Sequence, residues 1–182
     1  MVRELAKQFA SAFYRHKPDD KRDIFIHSTQ RSGSTLLFDL LSAQPRSKPV
    51  GEPFQERKWD VVRRYVARPR SRYTRFDSST ETQVRSYIDA LLSGTFVGGF
   101  ERTYNPRSVR HHRVTDHNVV KILRAPQCAP WFARQYPQAL HLFLIRHPAP
   151  TILSRERNGW TAPIEEFLRD EPWMNRLTED QR

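Results

Sequence analysis

Apolar and polar positions along this chain follow two periods, one typical of buried strands and one typical of helices. Short apolar runs predict strands at 23–29, 95–100, 119–123 and 140–145. Apolar residues spaced three and four apart predict helices at 1–17, 34–43, 58–67, 79–92, 129–135, 151–158 and 163–169. Strands that alternate with helices are typical of a parallel sheet covered on both faces. We therefore predict an α/β fold and a single domain over 1–182.

The most informative segment is IFIHSTQRSGSTLL at 24–37, where an apolar run ends in a hydroxyl-rich turn and resumes as an amphipathic helix. The first N–H groups of a helix lack partners within it, and the macrodipole adds about half a positive charge there. Gly33 lets the backbone approach an anion closely, and Arg31 supplies a permanent positive charge. Hydroxyl groups come from Ser32, Ser34 and Thr35. The segment predicts a site for phosphate or sulfate.

A second segment of the same kind is LHLFLIRHPAPTILSRER at 140–157. Arg146 ends the apolar run, and Ser154 lies eight positions later in a helix that opens at Ala149 or Pro150. Ligands of parallel sheets bind beyond the carboxyl ends of the strands, where both Arg31 and Arg146 are expected. The alternative is that Arg146 caps the sheet edge and Ser154 faces solvent.

The two segments resemble the phosphate-binding motifs of the PAPS-dependent sulfotransferases. QRSGST at 30–35 is similar to their 5′-phosphosulfate loop, and Arg146 with Ser154 is similar to their 3′-phosphate motif. The ordinary P-loop fits less well, because it requires a lysine directly after its second glycine. The resemblance implies a P-loop-like three-layer fold with a core at about 23–157. It also implies PAPS (3′-phosphoadenosine 5′-phosphosulfate) as co-substrate and no metal, since fixed cations supply the stabilising charge.

The resemblance also implies three catalytic residues. Arg31 matches the basic residue that stabilises the leaving oxygen, and Lys121 in VVKILRAP matches a strand lysine near the sulfate. The alternative for Lys121 is a lysine that reaches solvent from a strand end. Glu52 in VGEPF resembles the catalytic base of the carbohydrate-directed, trehalose-type branch. The phenol- and steroid-directed branch uses a histidine, so the cluster of His111, His112 and His117 stays open as a base, a metal site or a solvated loop.

Composition and charge bear on the ligands and on the cellular location of such a domain. The 31 basic and 20 acidic residues give a net charge of +11, which attracts anions such as the donor. A single cysteine, Cys128, excludes an internal disulfide, and neither a membrane-spanning run nor a signal peptide is apparent, so we predict a cytoplasmic location. The expected partner is a small-molecule, carbohydrate or glycolipid acceptor. The sequence does not indicate an oligomeric state.

Three features leave room for other interpretations. The basic and aromatic stretch RRYVARPRSRYTR at 63–75 is typical of nucleic-acid contacts, although we expect it to form a solvated surface. The site is also compatible with a small-molecule kinase, which needs magnesium, or with a non-catalytic nucleotide-binding module. Members of the resembled family usually continue further after the 3′-phosphate helix. We therefore expect the C-terminal portion of the fold to be missing from this chain.

Overall fold

The structure is a computed structural model that describes residues 15–17, 20–54, 81–94 and 114–159. Its strands are β1 (Arg15–His16), β2 (Ile24–Ser28), β3 (Ser47–Gly51), β4 (Val114–Thr115), β5 (His117–Ile122) and β6 (Leu140–Leu144). Its helices are α1 (Ser34–Ser42), α2 (Glu81–Ser93), α3 (Ala129–Gln135) and α4 (Pro148–Glu156). The chain divides after Ile145 into two compact units, and α4 belongs to the second.

The first unit is built on a four-stranded parallel sheet with the order β3-β5-β2-β6. β1 and β4 form a separate two-stranded parallel pair. All carboxyl ends of the four-stranded sheet therefore lie at one edge, and its two inner strands are β2 and β5. This confirms the predicted α/β fold with a central parallel sheet.

Side chains alternate between the two faces of the sheet and pack against different helices. On one face, Ile26 and Val119 pack against Phe38 of α1. On the other face a larger core joins the sheet to α2 and α3, with the buried residues Phe25, Val50, Val120, Ile122, Val84, Tyr87, Ile88, Leu91, Trp131 and Phe132. Each such side chain stabilises the fold by about 1.5–3 kcal/mol through burial. The result is three layers, helix, sheet and helices.

Two elements differ from the pattern that the sequence predicts. β3 was not predicted, because its sequence SKPVG contains a proline. Among the described residues β3 pairs only with β5, so Pro49 lies in an edge strand, where the missing N–H is tolerated. The last residues of the helix predicted at 1–17 instead form β1, which pairs with β4. The predicted strand at 95–100 and the helices at 58–67 and 163–169 lie outside the described residues.

Buried charges stabilise the amino-terminal edge of the sheet. The Asp116 side chain is fully buried, forms a hydrogen bond with His117 at 2.5 Å, and lies in ion pairs with Lys21 at 3.2 Å and Arg46 at 2.9 Å. Burial alone would raise the pKa of Asp116, but the hydrogen bonds from His117 and Lys21 and the positive charges outweigh it, so this pKa is lowered. Nearby, Lys48 donates to the Leu91 carbonyl at the end of α2.

A pair of histidines joins the inner strand β2 to its neighbour β6. His27 is fully buried, and its Nε2 lies 3.2 Å from Nδ1 of His141, whose own Nε2 lies 3.0 Å from the Tyr136 carbonyl. Because a carbonyl only accepts, His141 donates to Tyr136 through Nε2 and accepts from His27 through Nδ1. Burial and the neighbouring His141 lower the pKa of His27 to about 4. The native state therefore holds His27 neutral.

We predict that His27 makes the fold acid-sensitive. In the unfolded chain His27 takes up a proton near pH 6.5, whereas the folded chain resists protonation until pH falls to about 4. The contribution of neutral His27 to the free energy of unfolding is thus present above pH 6.5 and is lost as pH falls toward 4. The loss is on the order of 2 kcal/mol between pH 7 and pH 5. His27→Phe, which can keep the ring stacking, should flatten the pH dependence of the free energy of unfolding in urea. Equal slopes for both proteins would contradict this assignment.

Candidate active site

The loop between β2 and α1 has the backbone form of an anion cradle. Gly33 precedes α1 at φ 94° and ψ 4°, in the left-handed region that favours glycine, and it has no side chain to cap the helix. Its carbonyl accepts from the N–H of Leu36 at 3.1 Å. A Cβ atom added to Gly33 would meet no atom within 4 Å, so a ligand can approach the backbone here. We call residues 28–35 the cradle.

The hydroxyl groups of the cradle have different surroundings. Ser32 is buried and donates to the Thr29 carbonyl at 2.8 Å, so its hydroxyl shapes the loop. Ser34 is buried at the first position of α1, and Thr35 is exposed. The hydroxyl of Ser28, at the end of β2, is buried and has no hydrogen-bond partner among the described residues. An anion bound in the cradle could satisfy that group, and the arrangement fits a phosphate-type ligand.

Lys121 on β5 lies beside two other predicted site residues, Glu52 and Thr35. Its side chain is fully buried, and its Nζ lies 3.3 Å from Oε1 of Glu52 and 3.5 Å from Oγ1 of Thr35. The ammonium also lies 5.3 Å from the centre of the Phe38 ring, a distance at which the ring face attracts a cation. Lys121 is therefore not a lysine that reaches solvent from a strand end. It links the carboxylate after β3 to the first turn of α1.

Glu52 reaches Lys121 because the chain turns sharply after β3. Strand alternation would place Glu52 on the face opposite Lys121, but Glu52 has φ 52° and its N–H donates to the Lys121 carbonyl at 2.9 Å. A residue before proline is normally extended, so this left-handed conformation is strained. The next residue is held as well, since the buried Tyr87 hydroxyl donates to the Pro53 carbonyl at 2.7 Å. Phe54 then packs edge-on against Tyr87.

The predicted site residues that remain are Arg31, Arg146 and Ser154. Arg31 is exposed in the cradle and has φ 67°. Arg146 and Ser154 belong to the second unit, where Arg146 is exposed and precedes α4, and Ser154 is half-buried in the second turn of that helix. α4 begins at Pro148, close to the predicted start, and the side chain of His147 caps it by accepting from the Ala149 N–H.

His117, one of the three histidines considered as the base, lies at the other end of β5 from Lys121. His117 opens β5, so about 13 Å of strand separates it from Lys121. It is buried against Asp116 rather than in a solvated loop. His111 and His112 lie outside the described residues.

Three residues near the site were not indicated by the sequence. Ser28, Phe38 and Tyr87 each fit an ordinary strand or helix pattern, and nothing in that pattern separates them from core residues. Their relation to the site depends on packing between distant segments. A motif search around Lys121 or Glu52 would not have found them.

Comparison with known proteins places the chain in a family. The sequence model of the sulfotransferase family matches residues 23–180, so the chain belongs to the sulfotransferase family. No curated protein and no solved structure matched the chain. Within the described ranges no helix is long and apolar enough to cross a membrane. No group of three or more His, Cys, Asp or Glu side chains in the described part of the chain is arranged to hold a metal ion.

We predict a ranked loss of stability for substitutions of Gly33. Because an added Cβ meets no atom, the penalty comes from the left-handed backbone alone. Gly33→Ala should lower the free energy of unfolding by about 1 kcal/mol, Gly33→Asn by less and the β-branched Gly33→Val by more. Thermal unfolding should show this order, with Tm shifts of about 3 °C for alanine. If Gly33→Val were as stable as Gly33→Asn, the assignment of a left-handed backbone to Gly33 would be contradicted.

Proposed function

We propose that this protein transfers a sulfuryl group from PAPS to an acceptor hydroxyl. Membership of the sulfotransferase family supports sulfuryl transfer in general. The observation that carries the finer proposal is the Lys121 ammonium, which lies between the Glu52 carboxylate and Thr35 in the cradle. A cation, a base and an anion-binding helix start within one site are what sulfuryl transfer requires.

The cradle is the proposed site of the donor phosphosulfate. Arg31 would place its guanidinium against the anion, and Gly33 would let the backbone N–H groups approach it. Ser32, Ser34 and Thr35 would complete the cradle with hydroxyl and backbone groups. The orphaned hydroxyl of Ser28 and the open space beside Gly33 support this fit.

Arg146 and Ser154 are the proposed ligands of the donor's 3′-phosphate. Their segment follows β6, which pairs in parallel with β2, and the cradle follows β2. The similarity of the two segments to the two phosphate-binding motifs of the family supports this proposal. The family match runs across both units of the chain, which supports our proposal that 1–182 works as one sulfotransferase domain.

In the proposed reaction, Glu52 accepts the proton of the acceptor hydroxyl as the oxygen attacks sulfur. A new oxygen–sulfur bond forms, and the bond between sulfur and the bridging phosphate oxygen breaks, so that adenosine 3′,5′-bisphosphate leaves. Arg31 and Lys121 stabilise the negative charge that grows on the oxygens around sulfur. Arg31 cannot give up a proton, so its role is electrostatic.

The proposed acceptor is a carbohydrate or glycolipid, because among the described residues a carboxylate rather than a histidine lies beside Lys121. The family match favours sulfuryl transfer over the kinase and binding-module interpretations. The basic stretch 63–75 lies outside the described residues. The cytoplasmic location stays a prediction from the sequence.

We predict that the protein binds adenosine 3′,5′-bisphosphate without magnesium and more tightly than ATP. Arg146→Ala should weaken the binding of the bisphosphate about 10- to 100-fold, which corresponds to the loss of one charge-assisted hydrogen bond. The affinity for adenosine 5′-monophosphate should not change. Calorimetry measures both ligands, and Arg157→Ala at the end of α4 is a matched control. Equal losses for the two nucleotides would remove the assigned role of Arg146. A preference for ATP with magnesium would instead indicate a kinase.

We also predict that Glu52→Gln strongly lowers the rate of transfer while donor binding persists. Removal of a general base typically lowers kcat about 10²–10⁴-fold. Transfer of labelled sulfate from PAPS to pooled sugars and phenols measures the effect and identifies the acceptor class. Glu81→Gln on α2 removes the same charge elsewhere and should leave transfer unchanged. Wild-type rates in the Glu52 variant would exclude Glu52 as the base.

A further inference from the structure

Lys121 contacts two parts of the site, the Glu52 carboxylate and the anion-binding cradle. Its ammonium donates toward the Glu52 carboxylate at 3.3 Å and toward the Thr35 hydroxyl at 3.5 Å. Thr35 lies in the first turn of α1, where a bound anion is favoured. A carboxylate and a bound anion would therefore draw on the same buried positive charge.

Of the two ion-pair partners, Glu52 is the more firmly placed. Its backbone is fixed by the hydrogen bond to the Lys121 carbonyl, and the following Pro53 is fixed by Tyr87. The Lys121 ammonium ends a four-carbon stem, and the Phe38 ring beneath it attracts a cation without selecting one hydrogen-bond direction. The ammonium can thus turn from one acceptor toward another while the carboxylate stays in place.

We propose that Glu52 and the phosphosulfate of the donor compete for Lys121, so that donor binding frees Glu52 to act as the base. The inference rests on the proposed function and adds an order of events to it. The Glu52 side chain is only 13% exposed, so water compensates little for the ammonium when it turns away. Without the ammonium beside it, the Glu52 carboxylate is a stronger base, and the proton that it accepts comes from the acceptor hydroxyl.

Reciprocity turns this competition into a measurable quantity. If the Glu52 charge weakens donor binding by some factor, the donor must favour protonation of Glu52 by the same factor. The affinity that donor binding gains when Glu52 is neutralised therefore reports how strongly the donor activates the base. Before the donor binds, Lys121 holds the carboxylate in an ion pair, which limits premature proton transfer.

The test is a double-mutant cycle on PAPS affinity, measured by calorimetry without acceptor. Glu52→Gln should tighten PAPS binding about fivefold or more, within the usual range of coupling between sites. Lys121→Met should weaken binding, and adding Glu52→Gln to it should change affinity less than about twofold, since the cation for which we propose that Glu52 and the donor compete has been removed. Glu81→Gln raises the net charge equally and should have no effect.

The outcomes separate this inference from the function on which it rests. If the wild type binds neither PAPS nor adenosine 3′,5′-bisphosphate, the proposed function fails and the inference fails with it. If the wild type binds PAPS but Glu52→Gln leaves the affinity unchanged, the competition alone is refuted. An equal gain from Glu52→Gln with and without Lys121 refutes it too, because direct repulsion by the carboxylate would then explain the gain. If Lys121→Met does not fold, Lys121→Gln takes its place in the cycle.

Discussion

The parallel pairing of β5 with both of its neighbours is the constraint on which the rest of this structure depends. Lys121 is aligned with Ile26 of β2 on one side and with Gly51 of β3 on the other. A slip of one residue would move Lys121 to the face that Val120 and Ile122 fill with apolar contacts, and would leave its charge unpaired there. Correct register thus places the cation beside α1 and brings the residue after Gly51 within its reach.

The two edges of the sheet use buried charge differently. At the amino-terminal edge, Asp116 is surrounded by three donors that fix the start of β5 and the turn before β3. At the carboxyl edge, Lys121 faces a carboxylate, a hydroxyl and an aromatic ring near an open loop. The first arrangement pairs its central charge within the protein, and the second lies where we propose that the donor binds. The difference supports assigning stability to one edge and chemistry to the other.

The sequence was sufficient for the layered α/β fold and for a loop between β2 and α1, because those depend on the local hydrophobic period and on a short motif. Lys121 and Glu52 became candidates through the resemblance to the sulfotransferase family. It was insufficient for β3, since the proline in SKPVG is typical of turns and becomes acceptable only at a sheet edge. It also gave no sign of the left-handed turn at Glu52, which exists because contacts from β5 and α2 hold it. Ser28, Phe38 and Tyr87 were missed for the same reason, as distant segments alone decide what they touch. The roles of all the proposed site residues, Arg146 and Ser154 included, stay predictions.

The backbone at Glu52 and Arg31 has a consequence for how this protein can be altered. Both residues occupy a conformation that suits glycine or asparagine better, and each such position typically costs about 1–3 kcal/mol. Selection for thermostability alone would drift toward small residues at these two places, and would erase the very side chains that carry the proposed chemistry. Laboratory evolution for robustness should therefore be run with these two codons held constant.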